Sequence, residues 1–127
     1  RQRQRGIRDR VGADGRTTAA NSSQISDGAA ALLIADREYA ERNGLIPRAR
    51  FRALSVAAAD PIIQFTAILD AAHKALGRSG LAVEEIDLFE VNEAFAGVPL
   101  IFQREFGVPD DTLNVNRGSV ALGHPLG

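Results

Sequence analysis

Residues 118–127 have the sequence GSVALGHPLG, and this stretch decides the fold that we predict for the chain. The apolar run 120–122 leads into Gly123, His124 and Pro125. Glycine permits backbone angles that other residues avoid, and proline fixes its own φ and restricts the residue before it. We therefore predict that His124 stands on a stiff turn after a strand, where an imidazole can act as a base. A turn histidine satisfied by backbone hydrogen bonds is the alternative.

The composition excludes several classes of protein. The chain has 127 residues and a net charge of −1, so it suits one modest domain without a field that recruits nucleic acid or anionic lipid. It has no cysteine, which excludes a disulfide framework and a thiolate metal site, and its two histidines lack ligand spacing. No apolar run approaches the roughly 18 residues of a membrane span, and no signal peptide opens the sequence. We expect a soluble, cytoplasmic protein without a bound metal.

The first ten residues, RQRQRGIRDR, are basic and almost without apolar side chains. This composition predicts that residues 1–16 are disordered or form a linker. A nucleic-acid-binding arm is the alternative, but no aromatic side chains alternate with the charges here.

The next segments predict a polar loop, a strand and a short helix. Residues 17–28 are dense in small hydroxyl and amide side chains, and they form a polar loop that satisfies the local backbone or binds a polar ligand. The continuous apolar run 29–35 favours a buried strand. Asp36 can cap a helix over 37–43, which Gly44 would end.

The middle of the chain predicts a second strand and a longer helix. Apolar residues in 51–59 alternate imperfectly until Asp60-Pro61 breaks the pattern. A helix follows over 67–78, or from Pro61, and ends at Gly77 and Gly80. Its apolar face holds Leu69, Ala72 and Leu76, with Ile62 and Phe65 in register if the helix begins early. His73 lies at the edge of this face, where a surface histidine is favoured over a metal ligand.

The last third of the chain predicts a strand over 86–91 and then a helix that begins at Asn92, with Glu93 in its first turn. A final strand begins at 113–116 and is interrupted by Gly118. The helix buries Phe95, Val98, Phe102 and Phe106, is kinked by Pro99 and ends at Gly107. Strands that alternate with helices predict an α/β fold with a parallel sheet.

Two side chains with useful chemistry follow predicted strands, where α/β folds gather ligand groups. Asn92 and His124 can together donate hydrogen bonds to a developing oxyanion, directly or through water. Glu90 and Glu93 flank Asn92. Either carboxylate is a candidate general base, although a structural role is the simpler interpretation.

Three segments resemble signatures of the thiolases, the acyl-CoA C-acyltransferases. VNEAFA at 91–96 is similar to their NEAF motif, and NVNRGSVALGHPLG at 114–127 to their strand and GHP motif. NSSQISDGAAA at 21–31 is similar to the point where their CoA-binding loop meets a strand. The three occur in family order with similar spacing, and the resemblance covers residues 17–127. The loop at Asn21 is most similar to lipid- or steroid-degrading actinobacterial members.

The resemblance implies a thiolase-like layered α-β-α fold, present in part. Residues 17–47 would be the end of the N-terminal domain and residues 48–127 part of the C-terminal domain, so that the chain is an internal piece of a longer protein. It also implies acyl transfer to CoA with cleavage or formation of a carbon–carbon bond, as in fatty acid β-oxidation, with a CoA thioester as substrate and no further cofactor.

The resemblance also assigns roles to four residues. His124 would activate a nucleophilic cysteine and stabilise the enolate oxygen, and Asn92 would hold a water in the same oxyanion hole. Ser23 would contact the pantetheine arm, and Phe95 would line the acyl-CoA channel.

The chain departs from the family pattern in four places. It has no cysteine, whereas thiolases use two. Arg117 stands where a second glycine is usual, so its side chain either blocks the pocket or demands a different backbone path. Gln24 replaces a common glycine, and Thr66-Ala67-Ile68 stands where a Gly-Pro turn is usual.

Three functions remain open at this point. In the first, the chain is an inactive piece of a thiolase, because nucleophilic catalysis needs a thiol that it lacks. Alternatively it is a cysteine-less subunit that cleaves a CoA ester by retro-aldol chemistry with a partner chain, or a structural module. In each case exposed apolar faces predict a homo-oligomer or a complementary thiolase-like chain as partner.

Overall fold

A computed structural model describes residues 15–126, and within that range the regular elements are helices. The α-helices are α1 (Arg37–Arg42), α2 (Ala67–Ser79), α3 (Gly97–Phe106) and α4 (Ser119–Leu122). Short 3-10 turns lie at Ala19–Asn21, Gln64–Thr66 and Val83–Glu85. The linker or nucleic-acid arm predicted over the first sixteen residues lies almost wholly outside the described residues. No helix in the described range is long and apolar enough to cross a membrane.

The predicted strands do not form a sheet among the described residues. Pairing is limited there to three single bridges, Ser22 with Phe95, Ile25 with His124 and Phe89 with Leu113. The prediction of a buried strand over 29–35 was wrong, since that run has no regular structure and all its residues are exposed. A strand exists only through its neighbours, and no described segment pairs with this run.

Residues 51–59 keep the period of a strand but lie against a helix. Alternate residues from Ala53 to Ala59 are half-buried, while those between them are exposed. The hydroxyl of Ser55 donates to the carbonyl of Ala71 at 2.6 Å, and Arg52 Nε donates to the carbonyl of Ser79 at 3.0 Å. The segment therefore runs antiparallel along α2 with one covered face. The predicted alternation holds from Ala53 onward, but Phe51 is exposed and the predicted strand does not form over these residues.

Helix α2 confirms the predicted apolar face, because Leu69, Ala72 and Leu76 are all half-buried. It begins after the 3-10 turn 64–66 and ends at Gly80, whose φ of 70° is left-handed and whose N–H donates to the carbonyl of Leu76. Gly77 lies inside the helix, so the predicted stop there was wrong.

His73 lies on the exposed surface of α2, as predicted. Its Nε2 is 2.9 Å from Glu105 Oε1, and its ring packs against Phe106 with centroids 4.7 Å apart. Helices α2 and α3 thus meet through this pair.

Helix α3 begins at Gly97, five residues later than Asn92. Pro99 consequently lies in the first turn, where its missing N–H removes no helical hydrogen bond. The predicted kink at Pro99 was therefore wrong, because the helix was expected to begin five residues too early. The predicted face holds within the helix, where Val98 and Phe102 are buried, but Phe95 precedes the helix. Gly107 ends the helix at φ 64°, as predicted.

Helix α1 and its cap confirm the sequence prediction. Asp36 accepts a hydrogen bond from the N–H of Tyr39 at 2.7 Å, the expected N-cap contact. Gly44 follows the helix at φ 64°. Ala40 is its buried residue and joins Val98, Phe102 and Val108 in the small apolar core of the described chain.

The apolar run before Gly123 is a helix, not the predicted strand. Helix α4 occupies Ser119–Leu122 and starts from Gly118 in an extended conformation. The pattern misled because four apolar or small residues suit either structure, and here a distant carboxylate caps the helix.

Candidate functional site

Three segments far apart in the sequence meet at two of the bridges. The N–H of Ser23 donates to the carbonyl of Ala94 at 3.0 Å, and the N–H of Ala96 donates to the carbonyl of Asn21 at 2.9 Å. The polar loop that holds Asn21 and Ser23 also binds the GHP turn at 123–125, because the N–H of His124 donates to the carbonyl of Gln24 at 2.8 Å. Residues 21–26 therefore lie between the NEAF segment and the GHP turn and hold both.

An open cavity of about 370 Å³ lies where the NEAF segment faces the GHP turn. Asn92 and His124, the two residues predicted to share an oxyanion site, both line it. Its other lining residues are Glu90, Val91, Arg117, Gly118, Ser119, Leu122, Gly123 and Pro125. The structure thus brings together the amide and the imidazole that lie 32 positions apart in the sequence.

His124 is fixed by its backbone and free at its ring. Its carbonyl accepts from the N–H of Ser26 at 3.3 Å, in addition to the bond to Gln24. Gly123 before it has φ 102°, and a Cβ there would overlap the Ser26 hydroxyl, so glycine is required for both reasons. The residue is half-buried, and no hydrogen bond joins its ring nitrogens to another residue of the described range.

Asn92 is oriented by the start of α4. Its Oδ1 accepts from the hydroxyl of Ser119 at 3.2 Å. The amide nitrogen has no partner among residues 15–126 and remains a donor at the cavity wall. The strand that was expected to end just before Asn92 is reduced to the bridge at Phe89, so the two residues do not follow strand ends as predicted.

The two carboxylates beside Asn92 differ in their contacts. Glu90 is exposed and lines the cavity. Glu93 is half-buried, with Oε1 accepting from Asn114 Nδ2 at 2.9 Å and Oε2 from the N–H of Val120 at 3.2 Å. Because Glu93 precedes α3, its predicted place in the first turn of that helix was wrong. It caps α4 instead.

Arg117 keeps the backbone path of a glycine. Its φ of 77° is left-handed, and its N–H donates to the carbonyl of Asn114 at 2.8 Å in a tight turn. The residue is exposed and lines both the 370 Å³ cavity and a neighbouring one of about 460 Å³. Arg117 therefore borders the site in a left-handed conformation that glycine adopts most readily.

Ser23 and Phe95 do not line the cavity that contains His124. The Ser23 hydroxyl donates to the carbonyl of Ala94 at 3.1 Å, and the Phe95 ring packs edge-on against Phe65 with centroids 5.0 Å apart. Both residues lie at the bridge between the polar loop and the NEAF segment.

The sequence prediction missed Asn114, Ser119 and Gly118, which position the site. Asn114 has φ 48°, and its side chain bonds both backbone groups of Val91, at 2.7 Å and 3.0 Å. The available signal was the cluster of polar and small residues at 114–119 before an apolar run.

The chain is similar to known proteins in both sequence and structure. The family model described as "Thiolase, C-terminal domain" matches residues 45–127. The chain is 45% identical over 121 residues to a 3-ketoacyl-CoA thiolase of Bacillus subtilis, which covers 95% of this chain and 31% of that protein. It is 47% identical over 113 residues to the steroid 3-ketoacyl-CoA thiolase FadA6 of Mycobacterium tuberculosis, covering 89% of this chain and 28% of that one.

A solved structure gives the same result for the fold. The crystal structure of human mitochondrial 3-ketoacyl-CoA thiolase in complex with CoA matches with a TM-score of 0.90 and 36% identity. The match covers 99% of this chain and 32% of that chain. The chain thus spans about a third of the length of the proteins that it matches.

Proposed function

The chain belongs to the thiolase family, and from this premise we propose that it forms the oxyanion-binding part of an acyl-CoA site in an acyltransferase. The reaction would transfer an acyl group to CoA while a carbon–carbon bond beside a thioester breaks, or forms in reverse. The observation that carries the proposal is that Asn92 and His124 line one cavity.

The chemistry required at that cavity is the stabilisation of negative charge. When the carbon–carbon bond breaks, its electron pair is delocalised onto the thioester oxygen as an enolate. Donors already oriented toward that oxygen stabilise the charge without reorganising. The ring of His124 and the amide nitrogen of Asn92 suit this role because neither is consumed by a hydrogen bond within residues 15–126.

A CoA thioester is the proposed ligand, with no other cofactor. Relatives named as 3-ketoacyl-CoA thiolases and a structural neighbour in complex with CoA support this choice. Ser23 is proposed to contact the pantetheine arm. Its hydroxyl donates to the carbonyl of Ala94 and retains lone pairs that can accept from a ligand amide. Phe95 is proposed to line the acyl channel beside it.

The domain boundary near residue 48 is part of the same proposal. The match to the thiolase C-terminal domain begins at residue 45, which supports assigning residues 17–47 to the end of the preceding domain. Because the chain has no cysteine, a thiol nucleophile has to be supplied from outside these residues. Retro-aldol cleavage of a CoA ester with a partner chain is the second candidate, since enolate stabilisation alone would serve it.

Calorimetric titration of the purified protein with CoA and acetoacetyl-CoA tests the proposal. We expect His124→Ala and Asn92→Ala to weaken acetoacetyl-CoA binding by about tenfold, the loss of one good hydrogen bond to a polarised oxygen. His73→Ala is the matched control, because this histidine lies on the surface of α2 and should bind like the wild type. Absence of binding by the wild type, or equal binding by all four proteins, would refute the proposal.

The two catalytic candidates are separated by turnover. Thiolysis of acetoacetyl-CoA by the purified chain would contradict the idea that it lacks a nucleophile. Activity that appears only in a complex with another acyl-CoA-binding protein, and disappears in His124→Ala, favours the retro-aldol candidate.

A further inference from the structure

The carboxylate of Glu93 joins the two halves of the candidate site. It lies in the segment between Asn92 and α3, and it is half-buried without forming an ion pair with any described residue. Its two oxygens bind different elements. Oε1 accepts from Asn114 Nδ2, and Oε2 accepts from the N–H of Val120 in α4.

Helix α4 has no side-chain cap from its own N-cap residue. Its N-cap is Gly118, which has no side chain to accept from the first N–H groups of the helix. The N–H groups of Ser119 and Val120 have no acceptor within the helix, whereas that of Ala121 donates to the carbonyl of Gly118 at 3.1 Å. The carboxylate supplies the missing acceptor from 27 positions earlier in the sequence, and negative charge at this end is favourable for the helix.

Gly118 leaves the space that the carboxylate occupies. A Cβ on this glycine would overlap the Glu93 carboxyl group, and the three atoms it would meet first all belong to that group. The φ of Gly118 is −118°, an extended value that any residue adopts. What glycine supplies here is space rather than conformation, since a side chain at this position would have to displace the carboxylate.

Asn114 fixes the other side of the carboxylate. Its amide group pairs with both the N–H and the carbonyl of Val91, and the same Nδ2 also donates to Glu93. Asn92 lies between Val91 and Glu93, which Asn114 holds in place. Helix α4 ends at Leu122, two positions before His124. The carboxylate thus ties together the segments that carry the amide and the imidazole.

We propose that Glu93 is a positioning residue, which sets the spacing between Asn92 and His124 by capping α4 and binding Asn114. This inference rests on the proposed function for its consequence in ligand binding, but its structural part stands on the hydrogen bonds alone. Glutamine in its place keeps the shape and turns one of the two acceptors into a donor, so one contact is lost.

A double-mutant cycle tests the structural part. We expect Gly118→Ala to lower Tm by roughly 4–10 °C, as overpacking does in a chain of this size. In a Glu93→Ala background the same change should cost no more than about 2 °C, since the added methyl group then meets no carboxylate. Equal costs in the two backgrounds would overturn the contact.

The positioning role needs a second readout. In Glu93→Gln we expect acetoacetyl-CoA to bind about tenfold more weakly while CoA binds as before, together with a shifted side-chain amide resonance of Asn92. Glu84→Gln, which changes an exposed carboxylate outside the site, is the control and should alter neither. Glu93→Gln that binds both ligands like the wild type, with an unshifted Asn92 resonance, would overturn the role.

The two proposals fail in different ways. If the wild type binds neither CoA compound, the proposed function is wrong. The Gly118 cycle and the Asn92 resonance then still decide whether Glu93 couples the two segments.

Discussion

At the scale of single residues, Arg117 is the least expected feature of the site. It borders the cavity in a left-handed conformation, φ 77°. Such a backbone costs an L-residue other than glycine about 1 kcal/mol. The chain therefore keeps an arginine at the wall of the cavity at the expense of local stability.

This strain leads to a prediction for Arg117→Gly. Because glycine adopts positive φ readily, we expect stability to rise by about 0.5–1 kcal/mol and Tm by roughly 2–4 °C, measured by thermal denaturation. Arg117→Ala removes the same charge and retains the Cβ, so it should show no such gain. Equal Tm values for the two variants would mean that the backbone is not strained at this position.

At the scale of elements, the segment 51–59 has the two-residue alternation that was predicted for a strand, but it packs against helix α2 instead of pairing with another strand. Its half-buried residues face α2, and carbonyls of the segment accept from Lys74 and Arg78 of that helix. The outer face, which includes Leu54 and Val56, is exposed. The alternation that was visible in the sequence therefore marks one covered face and one uncovered face.

Neighbouring substitutions distinguish these two faces. We expect Ala57→Lys to destabilise the chain by about 1–3 kcal/mol, because it forces a charge against α2. Val56→Lys changes a side chain that is 86% exposed and should cost less than about 0.5 kcal/mol. Denaturant unfolding of both variants measures the difference, and similar losses for the pair would contradict the strand-like path.

At the scale of the whole molecule, the exposed apolar surface is the dominant property. Leu32 and Leu33 in the run 29–35 are 85% and 81% exposed, and Ile46 and Ile62 are each 91% exposed. The buried apolar residues of the described range are few: Ala40, Val98, Pro99, Phe102 and Val108. Surfaces of this kind bind other protein surfaces or aggregate.

We therefore expect the purified protein to self-associate, unless a complementary thiolase-like chain covers these faces. Sedimentation velocity should give about twice the monomer mass or more. A Leu33→Lys and Val56→Lys double variant should shift the distribution toward smaller species, since both side chains lie on uncovered faces. A clean monomer for the wild type would show that the apolar faces do not drive association.

Several features of the chain follow from neighbours within a few positions, and the sequence predicted these correctly. The Asp36 cap, the left-handed ends at Gly80 and Gly107, and the apolar face of α2 are of this kind. The thiolase motifs were also identified in order from the sequence alone, because each is a short local pattern.

The sequence by itself therefore determined the family and the two side chains, Asn92 and His124, that we propose for the site. The tertiary structure decided that they line one cavity and that Glu93 caps a helix 27 positions away. It also decided that the run 29–35 stays uncovered among the described residues. These outcomes depend on which distant segments pair, and pairing is a property of two segments that the pattern of either one does not specify.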